Sequence, residues 1–162
     1  MKSIILTYLF LFTVPIFGQN IKQSKTLSKT NEIKKLLVGD YKYSDGCCHC
    51  LFQLTFKMEN NILLFHLKTN KRNIKGNAKI QFEKQYAYVV LPIRWDDYQG
   101  DMTLDTYKPY KGEKPFGVEM FFNPKLRTLS FQNYGNAMNN YIIFDECNND
   151  KGIQLINKRH SR

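Results

Sequence analysis

Three properties of this chain point to an all-β fold: an antiparallel meander of eight or nine short strands, closed as a small barrel or folded as a sandwich, behind a short N-terminal helix. From Asp40 onward apolar and polar residues alternate with a period of two, the pattern of strands with one buried face. The alternating segments are joined mostly by short turns, and no intervening helix is long enough for a parallel crossover. Aromatic residues make up 14% of the chain, mostly Tyr and Phe, which favours strands.

The first eighteen residues read as a secretory signal. Lys2 supplies the positive start, Ile4–Phe12 is a nearly unbroken apolar run, and Gly18 is a small residue at the boundary with polar sequence. A spanning helix needs about 20 apolar residues; this run is shorter, and Pro15 interrupts it. Cleavage is expected after Gly18, and no Cys stands there to carry a lipid. The mature chain is therefore expected in a periplasm or outside the cell, with no transmembrane segment.

Residues 19–31 are polar and read as a flexible lead. Residues 32–38 place Ile33, Leu36 and Leu37 on one face, which predicts one or two helical turns stopped by Gly39. A single domain is expected over residues 32–157, with a basic tail at 158–162. Within it, residues 40–44 alternate around Tyr41 and Tyr43. Residues 51–58 and 62–69 form a hairpin across Glu59-Asn60-Asn61. Residues 76–83 and 86–93 follow, the second apolar on both faces and so central. Residues 94–115 read as an irregular loop. Residues 116–122 pair with 126–132 through Asn123-Pro124-Lys125, and residues 140–147 and 152–157 are expected to form a last hairpin.

The net charge is +10, or +9 once Lys2 is lost. Such a balance favours anionic partners, but the basic residues are dispersed. Lys34-Lys35, Lys71-Arg72 with Lys68 and Lys75, and Lys158-Arg159 with Arg162 are the closest groupings, and they read as solvated surface. No basic stripe coincides with a nucleic-acid-binding module, so nucleic acid is not an expected partner.

Cys47, Cys48, Cys50 and Cys147 all follow the signal, and exported chains keep their disulfides. Adjacent Cys47 and Cys48 are poorly placed to bond each other. The expected arrangement ties one member of the Cys47–Cys50 cluster to Cys147. The chain-entropy value of such a loop is about 4–5 kcal/mol at best. A thiolate metal site using Cys47, Cys48, His49 and Cys50 is the competing reading, since these donors suit copper(I) or zinc. Neighbouring residues in extended chain point apart, however, and structural zinc sites usually join two separated ligand pairs. No cofactor is expected.

The loop at 94–115 is the other candidate. It is longer than a hairpin needs, and such loops often carry function. Trp95, Asp96, Asp97, Tyr98, Asp101 and Asp105 put aromatics beside acids, a composition suited to recognition. Asp96, Asp97 and Asp101 also offer paired carboxylates for glycoside hydrolysis. No nucleophile elbow, zinc-protease motif or phosphate loop is present, so an enzyme is not the leading reading.

Gly39-Asp40-Tyr41, after a short helix and opening the first strand, resembles a lipocalin-type start, in which the third residue is Trp rather than Tyr. The succession of short helix, meander and C-terminal Cys is also similar to small exported bacterial barrels, including periplasmic lysozyme inhibitors. The resemblance implies binding rather than catalysis, of an apolar ligand inside a barrel or of a protein gripped by loops. Inhibitors of basic lysozymes are expected to be acidic, which this chain is not. The expectation is therefore an exported, non-enzymatic binding protein for a protein or anionic envelope component. A small-molecule carrier with Phe52, Phe56, Phe65, Phe82 and Tyr88 as lining, or a Cys-cluster metal binder, stands as the alternative.

Overall fold

A computed structural model describes residues 17–43, 50–101, 115–136, 138–147 and 150–159. Most of the signal segment, Cys47, Cys48, His49 and Asp105 lie outside these residues. The elements in order are helix α1 (Phe17–Leu37) and strands β1 (Gly39–Tyr43), β2 (Phe52–Glu59), β3 (Ile62–Thr69), β4 (Asn73–Asn77), β5 (Lys79–Glu83), β6 (Tyr86–Arg94), β7 (Asp97–Asp101), β8 (Phe116–Asn123), β9 (Thr128–Gln132), β10 (Asn139–Ile142) and β11 (Gly152–Asn157). A single 3₁₀ turn, Asp145–Cys147, precedes β11.

Nine strands form one antiparallel sheet in the order β4-β3-β2-β1-β11-β9-β8-β6-β5. The last strand of the chain pairs with the first, Tyr41 opposite Asn157. The two edges, β4 and β5, are consecutive, with Ala78 alone between them. Residues 73–83 thus act as one broken stave that leaves β3 and joins β6, and the Ala78 N–H is spent on the Leu63 carbonyl. The sheet is a nearly closed barrel, which decides between the barrel and sandwich alternatives.

The alternation seen in the sequence maps onto inside and outside. Phe52, Leu54 and Phe56 of β2, Leu63, Phe65 and Leu67 of β3, Ala87, Val89, Leu91 and Ile93 of β6, and Val118, Met120 and Phe122 of β8 are all buried. The β2–β3 hairpin runs in continuous register from Phe52 opposite Thr69 to Glu59 opposite Ile62. Asn60 and Asn61 make its turn with φ of 48° and 63°, the left-handed values that a two-residue hairpin turn requires.

The expected hairpin of residues 140–147 with 152–157 is not formed. β11 pairs with β9 and β1, and β10 pairs instead with β7, a strand inside the stretch expected to be irregular. The chain between β10 and β11 turns inward. Phe144, 0% exposed, packs edge-on against Phe52 and Phe131 at 5.1 and 5.7 Å between ring centres.

Residues 19–31, expected as a flexible lead, are helical. No Gly or Pro interrupts the chain between Gln19 and Leu37, so a helix docked at its C-terminal end propagates backward at little cost per residue. The docking residues are those expected: Ile33 and Leu37 are buried, and full burial of one such side chain is worth about 1.5–3 kcal/mol. Arg127 donates to the Leu36 carbonyl, and Lys34 Nζ donates to the Asn61 carbonyl at 2.8 Å. The helix stops at Gly39, whose φ of 140° is open to glycine and whose added Cβ would lie 2.6 Å from the Asn157 amide. The tail is partly held as well: Lys158 N–H donates to Asp40 O, and Arg159 N–H to the Asn157 side chain. The barrel thus has a helical end, closed by α1, and a disulfide end, closed by the segment before β11.

Candidate functional site

Trp95 and Asp96 leave the end of β6 in opposite directions, and each organises one part of the disulfide end. A register shift between Leu91 and Arg94 bends β6 as it leaves β8, and Trp95 N–H is then held by the Pro115 carbonyl. On one side the Trp95 indole donates to Gly117 O at 2.7 Å. Its ring lies 5.7 Å from Tyr98 and 4.9 Å from Tyr141, centre to centre. Tyr98 and Tyr141 are opposite one another in the β7–β10 ribbon, so ribbon pairing builds the aromatic cluster. Burial pushes the Tyr141 hydroxyl pKa up.

Phe116, at the start of β8, is 66% exposed, with the Arg94 guanidinium 5.9 Å above its ring. Trp95, Tyr141 and Phe116 line a groove of about 430 Å³ on the outer wall, with Gln81, Glu119 and Gln132 as its polar members. Aromatic walls with a few polar groups are the usual makeup of a binding cleft.

On the other side Asp96 is committed to structure. Its carboxylate accepts from Arg72 and from the Asp145 N–H at 2.8 Å. Arg72 also bonds Glu146 at 2.9 Å and lies 4.9 Å over the Phe144 ring. The Glu146 side chain is 1% exposed and accepts a further hydrogen bond from Thr69. Lys71 pairs with Asp145 at 2.7 Å, and this contact holds the Asp145 carboxyl down to about 2. The carboxylate oxygens of Asp96, Asp145 and Glu146 lie within 4.8 Å of one another. Their charge is answered by Arg72 and Lys71, so the cluster is a clamp between the β3–β4 turn and the segment before β11.

Two further ties hold that segment. Asn133, 0% exposed, donates to the carbonyls of Phe144 and Cys147 and accepts from the Phe144 N–H. Cys50 and Cys147 stand at disulfide distance, with Cα atoms 5.1 Å apart across 97 residues of chain. This selects Cys50 from the Cys47–Cys50 cluster as the partner of Cys147.

The structure brings only some residues of the expected recognition loop together. Trp95 and Tyr98 come together; Asp96 turns away into the clamp; Asp97 bonds the Tyr98 N–H; Asp101 ends β7. The expected carrier lining divides. Phe52, Phe56 and Phe65 are buried, and Phe82 is half-buried under Lys29 at 4.5 Å. Tyr88 does not face the interior: it is on the outer face of β6, edge-on to Phe121. Tyr141, Phe116 and Arg72 are the contributors that sequence reasoning missed. Strand alternation gives no sign that Phe116 is exposed, and Arg72, beside Lys71 in a polar turn, reads as surface charge.

A second groove, of about 700 Å³, runs along the outer wall of β2–β4 and mixes acids with bases: Asp40 and Glu59 with Lys57, His66 and Lys75. No protein family matches the chain, and neither a curated protein nor a solved structure matches it. No helix among the described residues is long and apolar enough to cross a membrane.

Proposed function

We propose that this chain is an exported, non-enzymatic binding protein that recognises a protein or cell-envelope partner through the aromatic face carrying Trp95, Tyr98, Tyr141 and Phe116. The observation that carries the reading is the exposed Phe116 beside a half-buried Trp95–Tyr141 pair on the outside of the barrel. Clustered aromatics with a polar rim are the usual anchors of an interface. The carboxylates nearest this face that are fixed by Arg72 are spent on the fold, which removes support from the glycoside-hydrolysis reading of Asp96. Export is supported by the N-terminal signal pattern, with cleavage after Gly18.

The likeness to lipocalins and to periplasmic lysozyme inhibitors separates into two uses of a barrel. A carrier needs interior space, whereas here Phe52 lies 5.9 Å from Phe131 and 5.1 Å from Phe144, ring to ring across the interior. That arrangement favours recognition by the outside over an enclosed ligand. The test is affinity capture from envelope extract with the oxidised protein, run beside Trp95→Ala and Phe116→Ser. Loss of an interface anchor typically costs 2 kcal/mol or more, about thirtyfold in affinity. A captured partner lost from both variants is the expected result. A partner retained equally by both variants sinks the aromatic face, and an apolar small molecule carried through native mass spectrometry sinks the filled-barrel argument.

A further inference from the structure

The helical end of the barrel collects apolar side chains that the fold does not bury. Of the eight large apolar residues exposed among the described residues, five lie at this end: Leu27 (63%), Val38 (38%), Ile62 (46%), Tyr86 (45%) and Leu126 (62%). Their common location follows from connectivity. In an antiparallel barrel the β2–β3, β5–β6 and β8–β9 turns emerge on one side, and these turns present Ile62, Tyr86 and Leu126 respectively. Three contacts place α1 on the same side. Lys29 lies over Phe82 near the β5–β6 turn, Lys34 reaches the β2–β3 turn at Asn61, and Arg127 of the β8–β9 turn reaches Leu36.

The charged residues of this end are unbalanced. Exposed Lys29, Lys35, Lys84, Lys125, Lys158 and Arg159 stand at this end, against exposed Glu32, Asp40, Glu59 and Glu83. Arg159 belongs here because the Asn157 N–H is bonded to Arg127 O. Basic side chains ringing apolar tips form the chemistry of a surface that sits in the headgroup layer of an anionic membrane. The cations meet phosphate, and the tips enter the acyl boundary.

We infer that the helical end docks peripherally on a bilayer rich in anionic phospholipid. The apolar side chains belong to three separate hairpins, to α1 and to the link after it, with Tyr86 resting edge-on against Phe121, so a fluid lipid layer can take each where it stands, whereas a protein partner would need a shape matched to all of them at once. The cationic excess, within a chain of net charge +10, supplies the attraction. Trp95 lies at the opposite end of β6 from Tyr86, so a docked molecule would hold its aromatic face away from the lipid.

The test is flotation of the exported, oxidised chain with phosphatidylglycerol–phosphatidylcholine vesicles and with phosphatidylcholine alone. Binding to the anionic vesicles only is expected. Each lysine at an anionic surface is worth about fivefold in partition, so Lys84→Glu with Lys125→Glu lowers binding by about 25-fold or more, whereas Lys68→Glu on the barrel wall changes it far less. Ile62→Asp with Leu126→Asp abolishes binding at unchanged far-UV circular dichroism. Depth is read separately with lipid brominated near the headgroup. Leu126→Trp introduces emission that the bromine quenches, while Trp95, the chain's single native tryptophan, is not quenched. No vesicle binding, or an unquenched residue 126, overturns the inference. So does charge-dependent binding that survives Ile62→Asp with Leu126→Asp, because the apolar side chains of this end would then not be what meets the lipid. None of these outcomes bears on partner capture by the Trp95 face.

Discussion

Replacing Arg72 with Met would keep most of its packing on Phe144 but leave the Glu146 side chain, 1% exposed, with the Thr69 hydroxyl as its donor and the Asp96 and Asp145 carboxylates close by. Removing one partner of a buried ion pair costs about 3–5 kcal/mol, because the remaining charge stays desolvated. We expect a loss of that order in urea unfolding for Arg72→Met. The further variant Arg72→Met with Glu146→Gln should recover part of it, because the stranded charge goes too. Lys71 acts on a different scale. Its partner Asp145 is 45% exposed, so the pair is screened by solvent and adds little at neutral pH. It does set a pH signature. Lys71 holds the Asp145 carboxyl at about 2, below its ordinary 3.8. A carboxyl depressed in the folded state stabilises above its unfolded value, and that contribution disappears as pH falls through the folded value. The stabilisation is therefore lost between about pH 4 and about pH 2. Lys71→Ala should lower the unfolding midpoint slightly at neutral pH, and the difference from the unaltered chain should shrink as pH falls from about 4 to about 2, as followed by circular dichroism.

The segment before β11 is fastened by Asn133, by the Arg72 clamp and by Cys50–Cys147. The last of these constrains the unfolded chain most. A loop of 97 residues corresponds to a ceiling of about 4.7 kcal/mol in the chain-entropy account. Reduction, or Cys50→Ser with Cys147→Ser, should lower the denaturant midpoint by an amount up to that ceiling. An unchanged midpoint would mean that the reduced unfolded chain keeps enough structure of its own for the cross-link to remove little entropy. The same elements show what the sequence could reveal. The β2–β3 and β8–β9 hairpins were legible because local alternation and turn residues agree. The β7–β10 ribbon was not. Asp97–Asp101 has no alternation, and its partner lies some forty residues on, so the pairing depends on tertiary packing that a local pattern does not encode. Residues 19–31 of α1 escaped for a related reason: they lack an apolar stripe, and periodicity registers only helices that bury one. At the candidate site Trp95 and Tyr98 stood out as aromatics beside acids. Tyr141 read as an ordinary strand residue, because only the ribbon brings it to Trp95.

Closure of the barrel is uneven around its circumference, and this fixes where it should open. β1 bonds β2 on one side and β11 on the other, and Tyr41 and Leu155 are buried in that join. β4 and β5 each have a single partner, and neither contains a fully buried residue. Backbone opening costs least where few apolar contacts are broken. Amides of residues 73–83 should therefore exchange with solvent much faster than those of β1, β9 and β11, and with little dependence on denaturant, as expected for local fraying. The exception is Ala78, whose N–H is held by Leu63 O and whose side chain is buried. Its slower exchange would locate the pivot at which the stave changes partner. The exposed lysines on these two edge strands, Lys75 and Lys79, oppose pairing with a second chain while the seam is open, so fraying need not lead to association. Equal protection across the seam and the β1–β11 join would show instead that the barrel is fully closed in solution.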